Sequence, residues 1–237
     1  MRNGTTRNPS RLIWKIVDCF YPPICAGCGS EGANICPDCA NSLVPITESF
    51  CPVCGKPYHP NRQCPLCGHN HFSFTAARAA FVYSGVICSA IKKLKYTRNL
   101  GLSGLFSDFL LSVYLDTKWD IDLVTAVPLY KKRYADRGFN QSEWIAKPLS
   151  RAIGKPFSAG ALQKAVNTTP QAGLSQQERS TNLREAFRAE PVIVKEKNVL
   201  IVDDVMTTGS TFNECAQTLR KAGASKVYCL SVASTVI

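Results

Sequence analysis

Residues 199–211, Val-Leu-Ile-Val-Asp-Asp-Val-Met-Thr-Thr-Gly-Ser-Thr, leave this chain little choice of architecture. Four consecutive apolar residues suit a strand buried on both faces, which is the habit of parallel sheets covered by helices. Two carboxylates, Asp203 and Asp204, end the run. The short loop Thr207-Thr208-Gly209-Ser210-Thr211 leads into 212–223, a helical pattern closed by glycine. In open α/β sheets, ligands bind where strands end and helices begin. Backbone N–H groups, hydroxyls and a helix N-terminus make this loop a receptacle for a phosphate dianion. The carboxylates upstream can accept hydrogen bonds from a sugar's vicinal hydroxyls. Phosphate beside diol points to a ribose 5-phosphate. A merely solvated strand–loop–helix is the plain alternative, and adjacent aspartates followed by Thr-Thr-Gly-x-Thr argue against it.

The string resembles, at every position, the phosphoribosyl pyrophosphate motif of the type I phosphoribosyltransferases. That resemblance implies a type I phosphoribosyltransferase-like α/β domain, a parallel sheet with helices on both faces. It implies Asp203 and Asp204 as catalytic carboxylates and Val205, Met206, Thr207, Thr208, Gly209, Ser210 and Thr211 as the substrate-binding segment. Mg²⁺ would accompany the donor. Thr207 stands where members acting on 6-oxopurines usually carry an acidic residue, which implies another acceptor.

Eight of the twelve cysteines form four Cys-x-x-Cys knuckles: Cys25/Cys28, Cys36/Cys39, Cys51/Cys54 and Cys64/Cys67. Two knuckles complete a tetrahedral four-thiolate site with no open position, so four knuckles fit two structural zinc ions. Sequential and interleaved pairings are both open, as is a module with one site filled. Disulfides conflict with a reducing compartment, and an iron–sulfur cluster is the serious rival. His59, His69 and His71 are surplus to all-cysteine sites. Cys19, Cys88, Cys215 and Cys229 follow no ligand spacing and read as small buried apolar side chains.

Residues 11–20 have the pattern of a short amphipathic helix, but Leu12–Val17 is too short and lysine-interrupted for a signal-peptide core. No apolar run approaches the roughly 18 residues that span a bilayer. A cytoplasmic protein without membrane insertion is expected. The pattern divides the chain into a tail and helix (1–20), a double zinc ribbon (21–75) and an α/β domain (76–237). Downstream, 79–83 reads as a strand, 86–96 and 100–115 as helices, and 122–127 as a strand ended by Pro128. A basic loop carrying Lys131, Lys132, Arg133 and Arg137 follows, then a helix over 142–152. Arg133 and Arg137 suit the pyrophosphate half of a donor. Residues 163–176 read as a polar loop with Gln171 available, Ser175 and Glu178 as a capping box, and 226–233 as the last strand.

Net charge is +11, of which residues 76–237 carry +9, so polyanions are plausible partners. Single-stranded DNA is one, with Lys92–Lys95, Tyr96, Arg98 and 130–134 supplying charge and stacking rings. A donor-binding sensor without turnover is another reading.

The order of pieces adds a whole-chain resemblance. Knuckles after Pro22-Pro23, Lys-Leu-Lys-Tyr at 93–96, Val-Pro-Leu at 127–129, Arg-Gly-Phe-Asn-Gln at 137–141, Gln171, Glu178-Arg179, Asn182-Leu183, Ala186-Phe187 and 199–211 are similar to the ComF family. That family implies a double zinc ribbon joined to a phosphoribosyltransferase domain, with DNA-uptake proteins as partners in natural transformation. Gln163 departs from it, standing where the resemblance calls for arginine.

Overall fold

An apolar run with no polar side must be buried on both, and in the computed structural model Val199–Val202 lies at the centre of a parallel sheet. The structure describes residues 22–47, 50–56, 64–69, 71–164 and 186–235. The expected helix at 11–20, Cys19, Gln171 and the capping box at Ser175 and Glu178 lie outside these residues, as does His59. The strands β1 (Ala76–Val82), β2 (Leu123–Ala126), β5 (Asn198–Met206) and β6 (Lys226–Ser234) form the order β1-β6-β5-β2, each neighbour parallel. A second ladder pairs β3 (Leu162–Lys164) with β4 (Phe187–Ala189) antiparallel, so the first two residues of the expected 163–176 loop are strand.

Alternation along β5 feeds two cores. Leu200 and Val202 pack with Leu230 and with three helices: α3 (Gly85–Thr97), α4 (Gly101–Leu115) and α6 (Gln141–Ala152). Val199 and Ile201 pack with Val227, Cys229 and the buried face of α8 (Ser210–Lys221), through Phe212, Cys215, Ala216 and Leu219. Helices on both faces of a parallel sheet were expected. Short helices α1 (Pro37–Asn41), α2 (Pro65–His69), α5 (Lys131–Arg137) and α7 (Pro191–Val194) complete the order. No described helix is long and apolar enough to cross a membrane.

The cysteines group sequentially: Cys25, Cys28, Cys36 and Cys39 in one cluster, Cys51, Cys54, Cys64 and Cys67 in the other. Cys28 and Cys36 sulfurs are 3.7 Å apart, and Cys51–Cys67 and Cys54–Cys64 each 3.6 Å. Tetrahedral zinc with bonds of about 2.3 Å places sulfurs about 3.8 Å apart, so the donor sets fit structural zinc. In the first cluster Cys25 is buried, Cys36 and Cys39 are half-buried and Cys28 is exposed. By contrast, Cys51, Cys54 and Cys64 are buried in the same apolar cluster as Ala77, Met206 and Phe212. Gly55 adopts φ +67°, and a Cβ there would lie 2.2 Å from the Ala77 carbonyl oxygen. The knuckle therefore touches β1 backbone to backbone. Main-chain hydrogen bonds run from Ala77 N–H to Val53 O, Ile46 N–H to Ala80 O and Val82 N–H to Val44 O, at 2.7–2.9 Å.

Candidate functional site

The parallel ladder keeps Asp203 and Asp204 inside β5 rather than beyond its end, because pairing with β6 continues through Asp203↔Ser231 to Met206↔Ser234. Tertiary pairing here overrides the poor strand preference of aspartate. Successive residues point to opposite faces, and the two carboxylates accordingly meet different partners. Asp203 Oδ1 accepts from Ser142 Oγ at 2.7 Å and from the Asp204 N–H at 2.9 Å. Ser142 is set by the first turn of α6, where the capping Asn140 side chain accepts from the Ser142 N–H and donates to Val127 O. Asp204 Oδ1 accepts from Lys95 Nζ at 2.9 Å. Its other oxygen, Oδ2, is buried with no hydrogen-bond partner among the described residues. Such orphaned atoms are rare in folded proteins. A sugar hydroxyl or a hard, oxygen-preferring cation such as Mg²⁺ would satisfy it.

Removal from water, followed by the neighbouring Asp204 carboxylate, raises Asp203 to about 7. The folded chain thus holds a proton that an unfolded aspartate releases near pH 4. Stability falls as pH rises through about 4 to 7, and the loss is complete above that window. Asp203→Asn cannot ionise, so it should raise the melting temperature more at pH 8 than at pH 5, by several degrees at about 2–4 °C per kcal/mol. Thermal scans at the two pH values check this; an equal shift at both would contradict it.

The loop after β5 turns on Gly209, which has φ +80° and caps α8; a Cβ there would meet the Phe72 ring at 3.4 Å. Thr207, Thr208, Ser210 and Thr211 are exposed. Thr208 Oγ1 and Ser210 Oγ lie 2.8 Å apart. Gly209 brings no capping side chain, and the N–H of Ser210, the first helical residue, donates to Thr208 Oγ1 at 3.4 Å. Val205 is half-buried and Met206 buried, and both side chains are apolar, so these two residues can serve the loop only through their main chain.

The expected basic loop is helix α5, ended by Gly138 at φ +81°. A short helix with no apolar stripe gives no periodic signal, which explains the difference. Arg133 and Arg137 line a cleft of about 470 Å³ with Lys95, Tyr96, Arg98 and Asp136. Arg137 donates to Gln141 Oε1, and its guanidinium carbon lies 5.5 Å from the Tyr96 ring centre. Arg98, at φ +53°, packs its guanidinium against Gly138. Lys95 belongs both to this cleft and to the Asp204 pair. The structure therefore brings Arg133 and Arg137 to the Asp204 side, whereas residues 207–211 are not among the cleft's lining.

Lys95 and Ser142 were not legible as carboxylate partners; the string Lys-Leu-Lys-Tyr was the one hint of the first. Gln163 faces Arg188 across the β3–β4 ladder, so an arginine stands opposite the departing position. Cys215 and Cys229 are fully buried, Cys88 half-buried, and burial pushes the Cys215 and Cys229 thiols well up. His71 is exposed and outside both cysteine clusters.

Comparison with known proteins matches residues 16–68 to the family described as Double zinc ribbon domain, and 140–235 to Phosphoribosyl transferase domain. The chain is 33% identical over 205 residues to the DNA utilization protein YhgH of Salmonella typhi, covering 83% of this chain and 89% of that one. It is 37% identical over 112 residues to Competence protein F of Haemophilus influenzae, 45% of this chain and 47% of the relative. With Competence protein ComFC of Bacillus subtilis it shares 26% over 201 residues, 80% and 79% of the two chains.

Proposed function

This chain belongs to the ComF family, and we propose that it binds phosphoribosyl pyrophosphate with Mg²⁺ at the end of β5. The observation that carries the reading is the buried Asp204 Oδ2, with no hydrogen-bond partner among the described residues, beside Asp203 and shortly before a helix whose capping residue is glycine. In this reading the ribose hydroxyls bond the two carboxylates, and the 207–211 backbone and hydroxyls hold the 5-phosphate. Arg133, Arg137 and Lys95 face the pyrophosphate. Asp203 and Asp204 would supply oxygen ligands to Mg²⁺, which would offset the charge of the pyrophosphate.

Where an acceptor is present, the bond from the anomeric carbon to pyrophosphate breaks as the acceptor's lone pair forms the new one. The ring gains positive charge, which the two carboxylates stabilise from fixed positions. Relatives named for competence and DNA utilization support a role in handling incoming DNA; action in the cytoplasm beside DNA-uptake proteins is part of the same proposal. The test is calorimetric titration of the zinc-loaded protein with phosphoribosyl pyrophosphate and Mg²⁺, alongside a folded Asp203→Asn/Asp204→Asn variant. Micromolar binding lost in the variant is expected, and a folded parent that binds nothing overturns the reading.

A second reading rests on Tyr96, which is 75% exposed beside Arg98 and Arg137. An exposed ring among arginines suits stacking of single-stranded DNA. Such binding would weaken steeply with salt and survive the double aspartate substitution.

A further inference from the structure

Lys56 lies two residues past Cys54, the end of the third cysteine knuckle, and is buried to 1% exposure. A buried ammonium is costly unless it is hydrogen-bonded and its charge is compensated. No carboxylate pairs with it; the ion pairs among the described residues are Lys95–Asp204 and Lys147–Glu143. Its Nζ donates instead to two atoms of Thr235, the carbonyl oxygen at 2.5 Å and Oγ1 at 2.9 Å. The Thr235 hydroxyl donates onward to Thr207 O at 3.3 Å, and the Thr235 N–H to Met206 O at 3.2 Å. At its other end Lys56 is fixed by the knuckle, where the Cys51 N–H donates to Lys56 O at 2.8 Å. One continuous path therefore runs from the second cysteine cluster through Lys56 and Thr235 to the first residue of the 207–211 loop. In a trans peptide the carbonyl and the next N–H point opposite ways, so pinning Thr207 O turns the Thr208 N–H away from Thr235.

Resting on the reading of 207–211 as a phosphate site, we propose that Lys56 is its positioning residue. It fixes the loop from beneath, supplies positive charge to it, and couples the second zinc cluster to anion binding. Four thiolates around a divalent metal leave a negative cluster on one side of the ammonium. A phosphate on the loop would be a second anion on the other. Each should then favour the other through the cation between them, and that coupling must act in both directions.

The probe is ribose 5-phosphate, titrated into the full-length, zinc-loaded protein. Lys56→Met, which keeps side-chain length without charge, should weaken binding about tenfold, inside the usual range for coupled sites. Thr235→Val leaves the Lys56 bond to the main-chain oxygen and breaks only the hydroxyl relay. It should weaken binding by a smaller factor, about threefold, with zinc content unchanged. Zinc affinity measured by equilibrium competition with a chelating dye should rise when ribose 5-phosphate saturates the parent, by the factor that zinc adds to sugar phosphate affinity. A role confined to packing would lower melting temperature but leave the rise in zinc affinity the same in a folded Lys56→Met as in the parent, whereas the proposal expects a smaller rise there. Lys56→Met that folds, holds two zinc ions and binds like the parent overturns the proposal. If Lys56→Met does not fold, a parent whose zinc affinity ignores the ligand overturns it equally. A parent that fails to bind ribose 5-phosphate at all removes the phosphate reading itself, a different and separately visible result.

Discussion

Cys54→Ser should lose one zinc ion and, with it, the fold of the sheet. Cys51, Cys54 and Cys64 share an apolar cluster with Ala77, Met206 and Phe212, so their metal is tied to the core rather than to an outlying module. Structural zinc contributes roughly 10–16 kcal/mol in isolated finger peptides, against about 5–15 kcal/mol for the net stability of a whole domain. Even a fraction of that contribution exceeds what the sheet can spare. The expected result is a melting temperature lowered by more than about 15 °C, or no cooperative transition, given about 2–4 °C per kcal/mol. Cys36→Ser, in the more exposed first cluster, should also lose one zinc ion but shift the transition by only about 5 °C. Metal content and thermal unfolding, measured on both variants, check this. Equal shifts would show that the two clusters are equally peripheral.

Lys95→Met should destabilise the protein by about 2–3 kcal/mol, below the roughly 3–5 kcal/mol for breaking a fully buried pair because Lys95 keeps some contact with water. The substitution leaves Asp204 Oδ1 without its cation, next to an Oδ2 that already has no partner. What remains is an uncompensated carboxylate whose side chain is 4% exposed. Asp204→Asn in the same background removes the stranded charge and should restore most of the loss. Denaturant unfolding of the parent, both single variants and the double variant gives the coupling directly. A Lys95→Met protein as stable as the parent, or one that Asp204→Asn fails to rescue, would mean that the pair is not the source of the effect.

The switch from β5 to α8 could be read in the sequence because local pattern and chemistry coincide there. A fully apolar run, two carboxylates and a hydroxyl-rich turn are all adjacent. The strand's far end could not be read, since aspartate disfavours strands and only the ladder with β6 carries it on to Met206. Strand β1 begins at Ala76 rather than near residue 79 for the same reason: Ala76, Ala77 and Arg78 owe their extension to partners in β6. Helix α5 escaped because seven largely charged residues carry no apolar stripe. Knuckle spacing showed the cysteines as ligands but left their pairing open. The partners of the site's charges were the least visible part. Lys95 meets Asp204 across 109 residues and Lys56 meets Thr235 across 179, and no local periodicity encodes such meetings.

The contacts of β1 with Val44, Ile46 and Val53 carry one more meaning. A strand at the margin of a sheet offers unsatisfied N–H and C=O groups to any extended chain that drifts past, and edge-to-edge polymerisation starts from such margins. Here that margin is already occupied, by short pieces of the cysteine-rich segment held in place by their own metal-binding turns. The ribbon thus does for this sheet what barrel closure or a blocking proline does elsewhere. It keeps one molecule from becoming the template for the next.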